Sequence, residues 1–221
     1  MLLPTRHDLH DALGGPRSNP VQPFPGELGL GLLRARVHEL CGPARVNLAA
    51  MILNVSAGPV IWISPGWQAG RLYVAGLVAY ADPARLIEVR ARRPEDLLWA
   101  AEEALRSGAA PIVIAELPEY PGLTPVRRLH LAAQTGAEMA RHRGRLPPLG
   151  LLLTPAMGGA QGVESRWHLA PRPSGTSLIT LHEAWALSRL RARMAPPASW
   201  SVRRAQDGKI TLSPEPGAPG G

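Results

Sequence analysis

The chain has 221 residues, 45% of them hydrophobic, which suits one domain of ordinary size with a sizeable core and excludes a disordered chain. Its 24 basic and 17 acidic residues leave a formal charge of +7, and Lys209 is the only lysine, so nearly all the positive charge is arginine. The single cysteine, Cys41, excludes an internal disulfide and a thiolate metal cluster, while the basic balance admits nucleic acid or an acidic partner and demonstrates neither.

In chain order, residues 1–25 contain Gly14-Gly15-Pro16 and further prolines without a sustained period. They are expected to form a flexible N-terminal arm, with a short helix near residues 7–13. No basic segment followed by an apolar run marks a secretory signal. Residues 36–41 read as a strand, Gly42-Pro43-Ala44-Arg45 as a tight turn, and residues 47–53 as the start of an apolar helix. Residues 46–70 carry no charge. Asn47, Asn54, Ser56, Gly58, Pro59 and Pro65 break that run into a buried helix and a strand at 59–63, not a membrane span. Residues 69–80 are expected to be helical despite Gly70 and Gly76, and 85–89 to be a strand.

Pro94 opens a helix whose first turn carries Glu95 and Asp96, where the helix dipole favours acids. Leu97, Leu98, Ala101, Ala104 and Leu105 make its apolar face, and Gly108 stops it. Residues 111–115 form an all-apolar strand. Thr124 and Pro125 signal a helix with Val126, Leu129, Ala132 and Ala133 on one side, which Gly136 ends or interrupts. Residues 149–154 read as another buried strand. In the last third, residues 166–169, 185–193, 200–204 and 210–212 alternate polar and apolar between Pro/Gly turns. Residues 178–194 could instead contain a helix, and 213–221 should be a disordered tail.

Apolar strands alternating with amphipathic helices predict an α/β fold, with a mostly parallel central sheet flanked by helices and an antiparallel C-terminal extension. The folded domain is expected over residues 26–212, in the cytoplasm.

Strand, glycine turn and helix at residues 36–53 form the frame of a phosphate-binding loop. Such a loop needs several convergent backbone N–H groups, a Lys and a Ser/Thr hydroxyl. Here the turn is short, and no Gly-Lys-Ser/Thr follows it. Gly42, Pro43, Ala44 and Arg45 are therefore either a remnant nucleotide site, with Arg45 on phosphate, or an inherited structural turn; the second is favoured. Glu116 and Glu119, near a strand end, could hold Mg²⁺ or act as acid and base. Without a phosphate cradle they read better as inherited or partner-facing acids. Cys41 and His38, in an apolar strand, are expected to be buried. The histidines lack metal-ligand spacing, and Ser64, Ser107 and Ser165 lack a hydrolase turn. Neither metal nor cofactor is expected.

Trp62 and Trp99 fit a core. Trp167, Trp185 and Trp200 fall among arginines, either to stack single-stranded DNA or, preferably, to pack inward with arginine outward. On a strand over 185–193, Arg189, Arg191 and Arg193 share one face, with Arg203 and Arg204 on a neighbouring strand. That face is the candidate surface for DNA phosphates or an acidic partner, a solvated face being the alternative.

The ordered set of segments resembles the RecA core. Val37 to Pro43 matches its strand and Gly-Pro turn. Ile61-Trp62-Ile63-Ser64-Pro65-Gly66 matches the strand before its catalytic glutamate, but carries no acid. Glu102-Glu103-Ala104-Leu105-Arg106-Ser107-Gly108 and Ile112-Val113-Ile114-Ala115-Glu116 match its helix, turn and metal-aspartate strand, so Glu116 stands near a degenerate Walker B position. Leu190-Arg191-Ala192-Arg193-Met194-Ala195-Pro196-Pro197 matches its basic strand and Ala-Pro-Pro turn.

Three further segments are similar to ImuA proteins, the RecA-like accessory proteins of the SOS mutasome: Ala91-Arg92-Arg93-Pro94-Glu95-Asp96-Leu97-Leu98-Trp99-Ala100-Ala101-Glu102-Glu103-Ala104-Leu105, Arg127-Arg128-Leu129-His130-Leu131-Ala132-Ala133 and Arg166-Trp167-His168-Leu169-Ala170. This resemblance implies a non-catalytic adaptor in damage-induced translesion synthesis, nucleoid-associated. Its implied partners are an ImuB-like Y-family polymerase homologue, RecA and, indirectly, an error-prone DnaE-type polymerase, with DNA as a further candidate and no membrane. Two rival readings are an SOS cell-division inhibitor that binds a tubulin-like protein and an active RecA-like ATPase.

Overall fold

The computed structural model describes residues 19–26, 29–68, 70–173 and 183–215. Two short strands, β1 (Val21–Pro23) and β2 (Gly31–Leu33), form an antiparallel ribbon. The chain continues through β3 (Val37–Cys41), α1 (Arg45–Asn54), β4 (Val60–Pro65), α2 (Val74–Leu77), β5 (Leu86–Ala91), α3 (Pro94–Ser107), β6 (Ile112–Glu116), α4 (Leu123–His142) and β7 (Leu149–Leu153). It closes with β8 (Ser165–Arg172), β9 (Glu183–Ala192), β10 (Ala198–Arg204) and β11 (Ile210–Pro214).

These last nine strands make one sheet in the order β11-β10-β9-β8-β3-β7-β6-β4-β5. The pairings from β5 to β8 are parallel; those from β8 to β11 are antiparallel. The expected class therefore holds, and β3 sits at the centre. Side-chain alternation splits the core into two layers. Ile112 and Ile114 of β6 pack with α1, while Val113 and Ala115 of the same strand pack with α3 and α4. Burying each such Ile or Val side chain stabilises by roughly 1.5–3 kcal/mol. That outweighs the local propensities.

Helix α1 has neither a side-chain cap nor an acid in its first turn, and six of its consecutive residues, 48–53, are buried. It is held by packing, as a helix apolar on all sides must be. Helix α3 is locally encoded: Glu95 and Asp96 open it, and Gly108 closes it in the left-handed region at φ 59°. Gly136 neither ends nor interrupts α4. A Cβ there would lie 1.9 Å from the Leu105 carbonyl oxygen, so glycine is what lets α3 and α4 approach.

Several expectations need correction. Among the described residues of 69–80, only Val74–Leu77 is helical. Leu77 and Tyr80 are buried there, but Tyr73 is 77% and Val78 65% exposed, so only a short part of the stretch packs on the core. Trp99 is exposed on the outer face of α3 and is not core. Helix α4 starts one residue before Thr124, with Gly122 as its N-cap and no side-chain cap. The segment read as arm ends in strand β1, and Phe24 is buried against Trp167, ring centroids 4.5 Å apart. At the other end β11 runs to Pro214, and Glu215 pairs with Arg172. The helix expected near residues 7–13 and the end of the tail lie outside the described residues. Residues 183–192 are strand, as expected over 185–193, and not the helix left open as its alternative.

Candidate functional site

The turn after β3 is built around Gly42, whose φ is 92°. A Cβ on it would lie 2.5 Å from the Leu169 carbonyl oxygen and 2.8 Å from the His168 ring, so β8 presses directly on the turn. Three of the four turn residues carry an N–H, and each N–H is engaged. Gly42 donates to Ala156 O at 2.8 Å, Ala44 to Leu169 O at 3.1 Å and Arg45 to Gly42 O at 3.3 Å. Pro43 has none. The Arg45 guanidinium folds back onto the Gly42 carbonyl at 3.3 Å. A phosphate cradle requires such groups to converge on open space; here they close on the protein's own carbonyls.

Two strands away, Glu116 ends β6. Its carboxylate accepts the indole N–H of the fully buried Trp62 at 2.5 Å, an arrangement that anchors the acid to the core. Glu119 lies in the exposed loop that follows. Strand β4 ends at Ser64 and Pro65, with no carboxylate. The turn, Glu116 and the end of β4 thus lie at the C-terminal ends of parallel strands, where α/β folds place their sites, without convergent chemistry.

The best-connected acid was not visible as a candidate in the sequence. Glu39, in the middle of β3, is fully buried and receives Thr154 Oγ1 at 2.6 Å, Gly159 N–H at 2.8 Å, Ala160 N–H at 3.0 Å and the Arg166 guanidinium. The one available signal was a charge inside an otherwise apolar strand, which burial permits only with full pairing. This carboxylate ties β3 to β8 and fastens the loop between β7 and β8.

His38 is buried between Ser165 Oγ at 2.6 Å and Leu33 O at 3.0 Å, and burial lowers its pKa to about 4. His130 bridges Val37 N–H and Gly162 O and is likewise lowered to about 4, chiefly by burial. Cys41 is buried, and burial pushes its thiol up to about 12. Among the described residues no three His, Cys, Asp or Glu side chains gather as a metal site. Nor is any helix among them long and apolar enough to cross a membrane.

The five candidate arginines do not share a face. A bulge between Arg166 and Trp167 pairs Arg189 with Trp167 but Arg191 with Arg166, which turns the two to opposite sides of the sheet. Arg189 lies over Trp167 and Trp200, 5.6 and 5.3 Å from their centroids, and donates to Pro196 O. Arg204 lies 4.7 Å over Tyr80 and pairs with Glu183 at 3.1 Å. Arg193 is 3.7 Å from Glu164. Arg191, Arg193 and Arg203 are exposed. Trp167, Trp185 and Trp200 are buried, as the inward-packing reading required, and offer no free ring to a base.

The class of protein is thus α/β, a large, mostly parallel sheet centred on β3 and flanked by helices, with an antiparallel extension past β8. Two curated relatives named Protein ImuA, from Caulobacter vibrioides strains NA1000 / CB15N and ATCC 19089 / CIP 103742 / CB 15, are each 31% identical to the chain over 161 residues. The match takes in 68% of this chain and 62% of each relative and supports assigning the chain to the ImuA family. The chain thus spans less than two thirds of the length of these relatives. No family model matches it. Among solved structures, SulA from Pseudomonas aeruginosa gives a TM-score of 0.41 at 20% identity, over 53% of this chain and 96% of that one.

Proposed function

We propose that the chain is a non-catalytic adaptor in damage-induced translesion DNA synthesis. In this role a RecA-like core with degenerate Walker A and Walker B positions joins an ImuB-like Y-family polymerase homologue to RecA and, indirectly, to an error-prone DnaE-type polymerase. The observation that carries the non-catalytic part is the turn at Gly42, Pro43, Ala44 and Arg45, whose N–H groups are all engaged by carbonyls. Enzymatic phosphoryl transfer depends on positioning and charge stabilisation around bound phosphate. A closed turn, an indole-bound Glu116 and a strand β4 without an acid supply none of these parts. The relatives' name supports the mutagenesis setting.

The test has two arms. Titration of the full chain with a fluorescent ATP analogue and Mg²⁺ should show no saturable binding in the micromolar range; saturable binding would overturn the non-catalytic reading. Affinity capture with purified ImuB-like homologue and RecA should retain the chain, and failure with both would remove the adaptor role.

A further inference from the structure

Three loops meet at the N-terminal edge of the parallel strands, the edge opposite the closed turn. Ala57, Gly58 and Pro59 lead from α1 into β4; Gly108, Ala109 and Pro111 lead from α3 into β6; Arg145 and Leu146 lead from α4 towards β7. Together they line a groove of 380 Å³, within the range of small-ligand and peptide-anchor pockets, about 300–1,000 Å³. Its walls are small, apolar and backbone-rich. Two of them are glycines in the left-handed region, Gly58 at φ 84° and Gly108 at φ 59°.

The loops are clamped from within. Arg34, only 2% exposed, donates to Pro111 O at 2.8 Å and to Pro147 O at 2.9 Å. Arg85 donates to Gly58 O at 2.8 Å, Leu53 O at 3.2 Å and Ser56 Oγ at 3.0 Å. A groove fixed in this way lowers the ordering cost of binding. Three arginines lie at it. Arg34 and Arg85 sit behind the walls and Arg145 on the rim. Among the described residues no carboxylate lies within ion-pair distance of any of the three. A buried cation surrounded only by neutral acceptors leaves its charge uncompensated and favours an incoming anion.

We propose that this groove docks an extended acidic segment of a partner protein, with one aliphatic or aromatic side chain seated between Pro59, Ala109, Pro111 and Leu146 and a carboxylate against Arg145. Apolar walls with a cationic rim match that chemistry. Nucleic acid fits less well, because no aromatic ring lines the groove to stack a base. The inference does not depend on which proteins the adaptor joins, so capture by the ImuB-like homologue can fail while this succeeds.

The test uses the full chain and an array of decapeptides that combine Asp or Glu with Leu, Ile or Phe, each beside a version with Lys in place of the acids. Binding is read by fluorescence anisotropy. Ala109 and Arg145 are both exposed, so A109W and R145E should leave the urea midpoint unchanged. Acidic-apolar peptides should bind saturably and their Lys versions should not. Each substitution should weaken binding by about tenfold or more, as expected for loss of a central contact. The proposal is overturned if no acidic peptide exceeds its Lys counterpart or if binding survives A109W. It is also overturned if a single-stranded oligonucleotide, and no peptide, loses binding in the variants.

Discussion

Arg166 of β8 reaches across to Glu39 of the adjacent parallel strand β3 and pairs with a carboxylate that also holds Thr154, Gly159 and Ala160. The pair fixes three separate pieces of chain: the central strand, the strand where the sheet turns antiparallel, and the loop between β7 and β8. The Arg166 guanidinium closes the circuit by donating to Ala160 O at 2.9 Å.

Removing either partner should therefore be costly. Glu39→Ala or Arg166→Ala should each destabilise by about 3 kcal/mol, because a charge loses its partner in a buried site. The double variant should fall short of the sum by about 1–3 kcal/mol, as coupled sites do. Urea unfolding of the four proteins measures both figures; strict additivity would show that the network is not a unit.

Stability should fall on mild acidification. His38 and His130 are held neutral, with pKa values of about 4 against an ordinary value of 6.5. Between those values the unfolded chain binds more protons than the folded one. The stabilisation is therefore complete above about pH 6.5 and is lost as the pH falls towards 4. For fully buried His38 this amounts to about 3 kcal/mol, with less for the partly exposed His130. The urea midpoint should drop steeply from pH 7 to pH 4.5, and His38→Asn should flatten that slope.

The five C-terminal arginines should separate into two groups. Arg189→Ala and Arg204→Ala should each cost about 1 kcal/mol, since each guanidinium lies over aromatic rings and bonds a carbonyl. Arg191→Ala and Arg203→Ala should change stability by less than about 0.5 kcal/mol, as exposed positions do. If the basic surface contacts a partner, the loss of binding should follow Arg191, Arg193 and Arg203. Thermal melts and affinity capture on the same panel distinguish the groups.

Gly136→Ala should destabilise, although alanine is about 1 kcal/mol the better helix former. A Cβ 1.9 Å from the Leu105 carbonyl oxygen meets backbone, which cannot rotate aside. Separating α3 from α4 to admit it should cost more than propensity returns, with overpacking of this kind worth about 1–3 kcal/mol. A raised urea midpoint would contradict the close approach.

Much of this architecture was written locally. The run Ile112-Val113-Ile114-Ala115 has no polar face, so it could only be a strand covered on both sides. Pro94, Glu95, Asp96 and Gly108 supply both ends of α3 within the helix itself. The missing Gly-Lys-Ser/Thr after Gly42 was equally plain, because a phosphate loop needs residue types that are either present or absent. These features depend on neighbours in the chain.

Contacts between distant residues were not encoded that way. Trp62 and Trp99 look alike in sequence, yet one is sealed between strands and holds Glu116 while the other faces solvent. Their burial depends on which elements pack beside them. Arg189 and Arg191 share a strand parity, but one bulge against β8 sends them to opposite faces, and only the register decides that. Glu39 reads as a charge in an apolar strand until four donors, contributed by Thr154, Gly159, Ala160 and Arg166, converge on it from more than a hundred residues away. Local chemistry is short-ranged enough for the sequence to state it. Desolvation and pairing depend on where the chain returns, and only the folded sheet brings those partners together.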